Sequence, residues 1–514
     1  MGENIYLQEI PKEILEKIFK EFGLKTILKM GLVSKYFYQF IKITAWDHLT
    51  VSIYGDTPIE RIMCAYNFPN IHIAKTKIQN ADLIHFTNCR KLNLLSIRLS
   101  VTDKVLQYLT NCSHLILWGC WLIIDIGLQY LINCNKLNLS RCDLITDIGL
   151  QYLVNCSELD LRHCKSITDT GLQYLVKCRK LNLSGCISIK GTGLQHLVNY
   201  NELSLSHCKS ITGTGLQYLV NCTVLNLSGC ILITDSELQY LVNCKKLNIS
   251  RCAITDTGLQ HLKKCSELNL SHCKLITDIG LQHLKKCSKL ILSHCNLITD
   301  AGLQHLKKCS KLILSYCKLI TGVGLQYLVN CSRLDLSHCK LITDTGLQYL
   351  ANCSRLNLSW CDLITDIGLQ YLANCSQLYL SHCNLITGTG FQYLTNCRSL
   401  DLQGCKSITD IGLRYLTNCR ILSLSNCEFI TSKALRYFKN CRKLDLFKCH
   451  LITDEGLQYL GNCSHLNISL CPLITDMGLK HLVNCQHLQY GKSNLITRSG
   501  VNYLVDNYRL NHYY

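Results

Sequence analysis

The sequence predicts an α/β solenoid, a horseshoe or ring of about 19–20 short strand–helix repeats, rather than several separate globules. Three observations predict it. A glycine register recurs every 22 residues along most of the 514-residue chain. Leucine and cysteine recur with the same step at fixed places in each unit. The unit is also too small to stand alone. Burying its few apolar side chains does not offset the ordering of its whole backbone, so stacked neighbours must cover both flanks.

The register runs Gly127, Gly149, Gly171, Gly193, Gly215, Glu237, Gly258, Gly280, Gly302, Gly324, Gly346, Gly368, Gly390, Gly412, Ala434, Gly456, Gly478 and Gly500. Val105 opens it, giving 19 copies, and a weaker copy lies near 68–89. The step falls to 21 once, between Glu237 and Gly258, where one residue is missing from Cys252-Ala253-Ile254-Thr255.

Residues 137–158 illustrate one unit. Leu137, Leu139 and Cys142 suit a short strand with one buried face, and Asn138 and Ser140 point the other way. Thr146 and Asp147 are helix starters, and Asp147 complements the helix dipole. Leu150, Leu153 and Val154 follow at helical spacing, for a helix of about two turns. Asn155 is expected as a left-handed C-cap, with Cys156 after it. Parallel strands about 4.8 Å apart then line the inner wall, and the wider helices outside force curvature.

Composition agrees with a packed array. Apolar residues make up 48% and charged residues 17%, which excludes wholesale disorder. No apolar run approaches the roughly 20 residues of a membrane span. The opening residues contain no apolar signal core, so secretion by that route is not expected. Thirty-six cysteines in a long chain without such a signal are expected to be reduced thiols, placing the protein inside the cell in the cytoplasm or nucleus. The net charge of +18 permits acidic partners, including nucleic acid, without naming one.

The repeated pattern L-x-L-S-x-C-x-x-I-T-D-x-G-L-x-x-L is similar to the cysteine-containing leucine-rich repeat, over about residues 90–505. The resemblance implies a leucine-rich-repeat horseshoe, here with a unit about four residues shorter than the family's and a tight helix-to-strand return. The solenoid is placed at 91–514 with a C-terminal cap, after a linker and degenerate first repeat at 51–90.

Two cysteine columns follow from the period. One runs from Cys120, Cys142, Cys164 and Cys186 to Cys471, and the other from Cys112, Cys134 and Cys156 to Cys485, with Tyr200 standing in once. Each thiol is expected as a small buried side chain, a weak donor to backbone carbonyls. Disulfides between neighbours are disfavoured, because parallel side chains keep their Cβ atoms near the strand spacing, above the ~3.5–4.5 Å a disulfide prefers. His163, His207, His272, His294, His338 and His382 each precede a strand cysteine. Adjacent strand residues point to opposite faces, so no zinc site is expected from these pairs.

The repeat is absent from residues 1–50. Pro11 opens a helix, Ile14, Leu15, Ile18 and Phe19 form its apolar stripe, and Gly23 ends it. Leu24, Ile27 and Leu28 begin a second helix, and Val33, Phe37, Phe40 and Ile41 a third, with Trp46 beyond. This small three-helix module resembles an F-box. Ile10, Pro11, Glu13, Ile14 and Leu15 with Ile18 and Phe19 match its first block, and Leu24, Leu28, Val33, Ser34, Lys35 and Phe37 its second. The resemblance implies that Pro11, Ile14, Leu15, Ile18, Leu24, Leu28 and Val33 contact a Skp-type adaptor, which links to a cullin and a ubiquitin-loading RING enzyme.

The outward positions of the inner wall are mostly Asn, Ser, His and Gly. Ile291, Ile313, Tyr316, Trp360 and Tyr379 break that pattern close together and are the substrate-binding candidates. Trp118 and Phe447 are lone exceptions near the ends. Lys263, Lys264, Lys285, Lys286, Lys307 and Lys308 cluster at three helix ends and are expected as a solvated face. Without aromatic interleaving, nucleic acid is not expected there.

No phosphate loop, catalytic-elbow serine or metal motif appears, so no enzyme activity, cofactor or metal is expected. The resemblance implies a substrate-recognition adaptor of a Skp–cullin–F-box type E3 ubiquitin ligase, its repeat array binding a protein substrate. The alternative is a non-catalytic interaction scaffold without ubiquitin-ligase coupling.

Overall fold

The structure, a computed structural model, describes Gln39 and residues 50–54, 69–74, 80–94, 101–491, 495–508 and 511–513. The F-box candidates Pro11, Ile14, Leu15, Ile18, Leu24, Leu28 and Val33 lie outside the described residues.

The chain divides into two compact units, 1–244 and 245–514. Among the described residues, the first unit stacks nine parallel strands, from Val51–Tyr54 and Asn70–Ala74 to Val224–Asn226. The stretch 51–90 contains the first two of these strands and a 3-10 helix, Asn80–Phe86. The second unit stacks thirteen, from Lys246–Asn248 to Asn511–Tyr513. Sequence neighbours pair in register, and within each unit from Leu92 to Leu488 leucine pairs with leucine, as Leu290 with Leu312 and Leu312 with Leu334. The shortened repeat keeps this register: Leu247 pairs with Leu268, and the missing residue is absorbed in the turn. The 11-residue helix Arg498–Tyr508 and the strand after it end the second unit.

From the strand His114–Ile116 to the strand His465–Asn467, each strand gives way to a turn whose residue just before the cysteine is left-handed. His294 has φ 61°, Tyr316 63° and Trp360 62°, and Gly185, Gly229 and Gly404 take the same place. This conformation costs a side-chain-bearing residue about 1–2 kcal/mol. It lets the His294 N–H reach the Ser315 carbonyl (2.9 Å) while the Cys295 N–H turns back to Leu292 O (3.0 Å). The histidines therefore leave the strand, and strand alternation is not what separates them from the cysteines.

The outer element is one α turn running into one 3-10 turn, as in Asp300–Leu303 and Gln304–Leu306, or a 3-10 helix alone. Asn155 is not a left-handed cap, since its φ is not positive. The 3-10 turn closes instead through Cys156 N–H to Leu153 O (3.0 Å), a tighter ending that needs no left-handed residue. Asparagines at this register bond the previous repeat, Asn374 Nδ2 donating to Ala351 O (3.2 Å).

The recurring Thr-Asp pair interlocks neighbouring repeats. Thr299 caps its own helix by accepting from the Ala301 N–H (3.2 Å). Asp278 of the preceding repeat accepts from the Thr299 N–H (2.9 Å) and hydroxyl (2.5 Å). The glycine register follows from this. A Cβ on Gly302 would lie 2.3 Å from Asp278 Oδ1 and 2.9 Å from Leu281 Cδ1. The one glutamate in the register, Glu237, stands where the preceding repeat has Gly213 instead of aspartate. Its carboxylate takes the missing role, accepting from the Thr234 N–H (2.8 Å) and hydroxyl (2.9 Å).

The core lies between strands and helices. It is built from leucine, isoleucine and the two cysteine columns, all buried. A strand thiol donates to the carbonyl of the strand leucine in the previous repeat, as Cys295 Sγ to Leu270 O (3.2 Å). A helix thiol donates two residues onward, as Cys287 Sγ to Lys289 O (3.1 Å). Burial pushes the Cys317 thiol up to about 12 and that of Cys331 to about 11. Tyr200, the exception, is buried and bonds Leu175 O with its hydroxyl.

Candidate functional site

The strand face of the second unit carries three columns of side chains, each generated by the period. The residue between the two strand leucines forms the middle column. Ile291 is paired with Ile313, Ile313 with Asp335, and Asn357 with Tyr379, all half-buried. The left-handed turn residues form a second column. The residue before the first leucine forms the third.

In the turn column the rings stack. Centroids of His272 and His294 are 4.3 Å apart, His294 and Tyr316 4.3 Å, and Tyr316 and His338 4.0 Å. His338 and Trp360 follow at 5.4 Å, then Trp360 and His382 at 3.9 Å, with interplanar angles of 12° to 17° along the series. Repeats about 4.8 Å apart place successive rings at stacking distance without further adjustment. The Tyr316 hydroxyl also lies 2.9 Å from His338 Nε2. Burial, then the nearby Lys340 charge, lowers the His338 pKa, so the ring is neutral at pH 7.

At this register each unit holds a short Lys–Glu–Lys alternation. Glu158 lies 2.8 Å from Lys136 and 3.8 Å from Lys180, and Glu267 lies 3.2 Å from Lys246 and 2.8 Å from Lys289. The hydrogen bond from Lys289 holds the Glu267 carboxyl below its usual range. From Lys311 the alternation stops. Lys311, Arg333 and Arg355 stand in register on three consecutive strands, and among the described residues no carboxylate pairs with them. Arg355 instead donates to the Tyr379 hydroxyl (3.1 Å), its guanidinium 5.4 Å from that ring's centre.

An open pocket of about 260 Å³ lies against these columns, lined by Lys311, Ile313, Arg333, Asp335, Arg355 and Tyr379 among others. Asp335 accepts from the Ser337 N–H (2.9 Å), the Ser337 hydroxyl (2.7 Å) and Asn357 Nδ2 (3.2 Å), so its oxygens are occupied within the fold.

Of the residues singled out from sequence, Ile313 and Tyr379 meet in this pocket, and Ile291 adjoins Ile313 in the same column. Tyr316 and Trp360 are not in the pocket lining; they belong to the ring stack. Sequence reasoning missed Arg333 and Arg355 because it placed the site only on the later positions of the strand. The signal was present: a Lys–Glu alternation broken by Lys311, Arg333 and Arg355. The helix-end lysines, such as Lys285, Lys286, Lys307 and Lys308, are exposed. No group of three or more His, Cys, Asp or Glu suited to a metal ion occurs among the described residues. Nor is any helix among them long and apolar enough to cross a membrane.

A family model described as the F-box domain matches residues 7–45. A second, described as the leucine-rich repeat, matches residues 135–154, 157–176, 201–220, 245–263, 266–285, 288–307, 332–351, 354–373, 393–416 and 442–461. No curated protein matches the chain. Among solved structures, the TLR13–ssRNA13 complex is similar, at 19% identity and TM-score 0.59, covering 92% of this chain and 81% of that one. The mouse RP105/MD-1 complex is similar at 15% identity and TM-score 0.55, covering 86% of each chain. At these identities the likeness shows the fold, a solenoid of leucine-rich repeats. With an F-box domain at 7–45 ahead of ten matched leucine-rich repeats, the chain is an F-box/leucine-rich-repeat protein.

Proposed function

We propose that the protein is a substrate-recognition adaptor of a Skp–cullin–F-box type ubiquitin ligase. The observation that carries this reading is the order of its parts: an F-box match at 7–45, then a long array with a structured strand face. Residues 1–50 form the docking module, 51–90 the linker and first degenerate repeat, and 91–514 the substrate-binding solenoid. Pro11, Ile14, Leu15, Ile18, Leu24, Leu28 and Val33 present an apolar face to the Skp-type adaptor. Ile291, Ile313, Tyr316, Trp360 and Tyr379 belong to the face that meets a protein substrate. The chain needs no active site or cofactor of its own. Holding a substrate beside a ubiquitin carrier raises its effective concentration, and that is the whole contribution. Buried, protonated thiols suit a reducing compartment inside the cell, cytoplasm or nucleus.

A pull-down tests the docking half. Full-length protein is expected to retain a Skp-type adaptor, and Ile14→Asp/Leu15→Asp to lose at least about tenfold, because two charges enter an apolar interface. Equal retention by both proteins, or retention by neither, would reject adaptor coupling and leave the interaction-scaffold reading.

A further inference from the structure

The third column of the second unit sets three cations side by side on consecutive strands. Like charges directly opposite on neighbouring strands are destabilising. Elsewhere Glu158 and Glu267 each sit between two lysines and relieve the repulsion. At Lys311, Arg333 and Arg355 no carboxylate among the described residues is bonded to the cations, and the one carboxylate in the pocket, Asp335, bonds Ser337 and Asn357 instead, so three cations against one carboxylate leave the lining with a net charge of +2. Cations held in register in excess of the carboxylates around them, beside a pocket, form an anion-binding arrangement completed by a ligand.

We infer that the pocket formed by Lys311, Arg333, Arg355, Ile313 and Tyr379 binds an extended acidic peptide segment carrying an apolar side chain. This rests on the reading of the array as the substrate-binding part of the adaptor, and it names the class of substrate. The spacing sets the ligand. Three strands about 4.8 Å apart spread the cations over about 10 Å. A polyproline-II-like extended peptide, with three residues per turn and about 3.1 Å per residue, brings i and i+3 to one side over about that span, so acidic groups there match Lys311 and Arg355. Ile313 and the ring of Tyr379 supply the apolar contact, and the Arg355–Tyr379 hydrogen bond pre-orients one guanidinium. The acidic group can be a carboxylate or a phosphorylated side chain, since a guanidinium fork accommodates either. Single-stranded nucleic acid is the less suitable polyanion. The faces of the neighbouring rings are already occupied by one another, at angles of 12° to 17°, and are not open to bases.

Fluorescence anisotropy on the full-length chain tests the inference. The probes are a labelled peptide with Glu at i and i+3 around a central Leu, the same peptide with phosphoserine for Glu, its Lys-substituted counterpart, and an oligouridine of similar length. Binding of the Glu or phosphoserine peptide, weakening as salt rises, is expected, and the tighter of the two identifies the anionic group. Arg333→Gln/Arg355→Gln should weaken it by about tenfold or more. That variant removes repulsion, so its melting temperature should stay level or rise, and lost binding is then not lost folding. Lys285→Gln/Lys286→Gln should bind as wild type. The inference is overturned if neither acidic peptide binds, if the Arg variant binds as well as wild type, if the Lys variant loses as much, or if the Lys peptide or oligouridine binds more tightly. Adaptor capture plays no part in this measurement, so failure here is distinct from failure of the pull-down.

Discussion

Gly302→Glu alone is expected to destabilise the second unit by about 3 kcal/mol, and adding Asp278→Gly is expected to restore most of that loss. The new Cβ would sit 2.3 Å from Asp278 Oδ1, in a site already closed by Leu281. Asp278 must then swing away, breaking its bonds to the Thr299 N–H and hydroxyl and leaving two carboxylates face to face. The protein already contains the solution. Where Glu237 occupies the glycine register, the residue 24 positions earlier is Gly213, and the glutamate itself bonds Thr234. An ideal Cβ on Gly213 would lie 1.7 Å from Glu237 Cγ, so aspartate and glutamate exclude each other at this pair of sites. Asp278→Gly/Gly302→Glu transplants that arrangement, with Thr299 in the place of Thr234. Urea denaturation followed by tryptophan fluorescence, in a background where Trp46, Trp118 and Trp121 are replaced by Phe so that Trp360 alone reports on the second unit, measures the three proteins. A double variant no more stable than Gly302→Glu would show that the interlock is not the reason for the glycine register.

Cys317, Cys383 and Cys405 are expected to resist thiol reagents at pH 8 by at least about a thousandfold relative to the denatured chain. Only the thiolate reacts. Burial raises Cys317, Cys383 and Cys405 to about 12 from an ordinary value of 9.0, and at fixed pH each unit by which the pKa rises removes a factor of about ten of thiolate. Steric closure adds to this, because these thiols are fully buried and donate to carbonyls such as Leu292 O, Leu358 O and Leu380 O. Labelling with a disulfide reagent, in buffer and in urea, followed by peptide mapping checks it. Rapid stoichiometric labelling of these three cysteines in buffer would contradict the packing described. Cys64 lies outside the described residues and is mapped separately.

The period made the array legible before any coordinates. Leucine, cysteine and glycine recur because each repeat must present the same small shapes to the same neighbours, and a 22-residue step is visible directly. What stayed hidden were contacts between repeats whose residues also have an ordinary local explanation. Asp278 reads locally as a helix-dipole residue, yet its hydrogen bonds go to Thr299 in the next unit. His294, Tyr316 and Trp360 read as strand residues, yet each sits in a left-handed turn that aligns their rings. Asn155 reads as a C-cap, but the 3-10 closure at Cys156 makes one unnecessary. The site was half legible. Ile313 and Tyr379 stood out as apolar groups on a polar wall and do line the pocket, whereas Arg333 and Arg355 stand out only against the Lys246–Glu267–Lys289 alternation just before them in the column.

Affinity purification from cells with mass spectrometry, comparing the full-length chain with a deletion of residues 1–50, tests the adaptor account most directly. The account predicts a Skp-type adaptor, a cullin and a RING protein with the full-length chain and their loss with the deletion, while substrates held by the repeats remain with both. Recovery of the cullin by the deleted protein, or its absence from the full-length one, would contradict it.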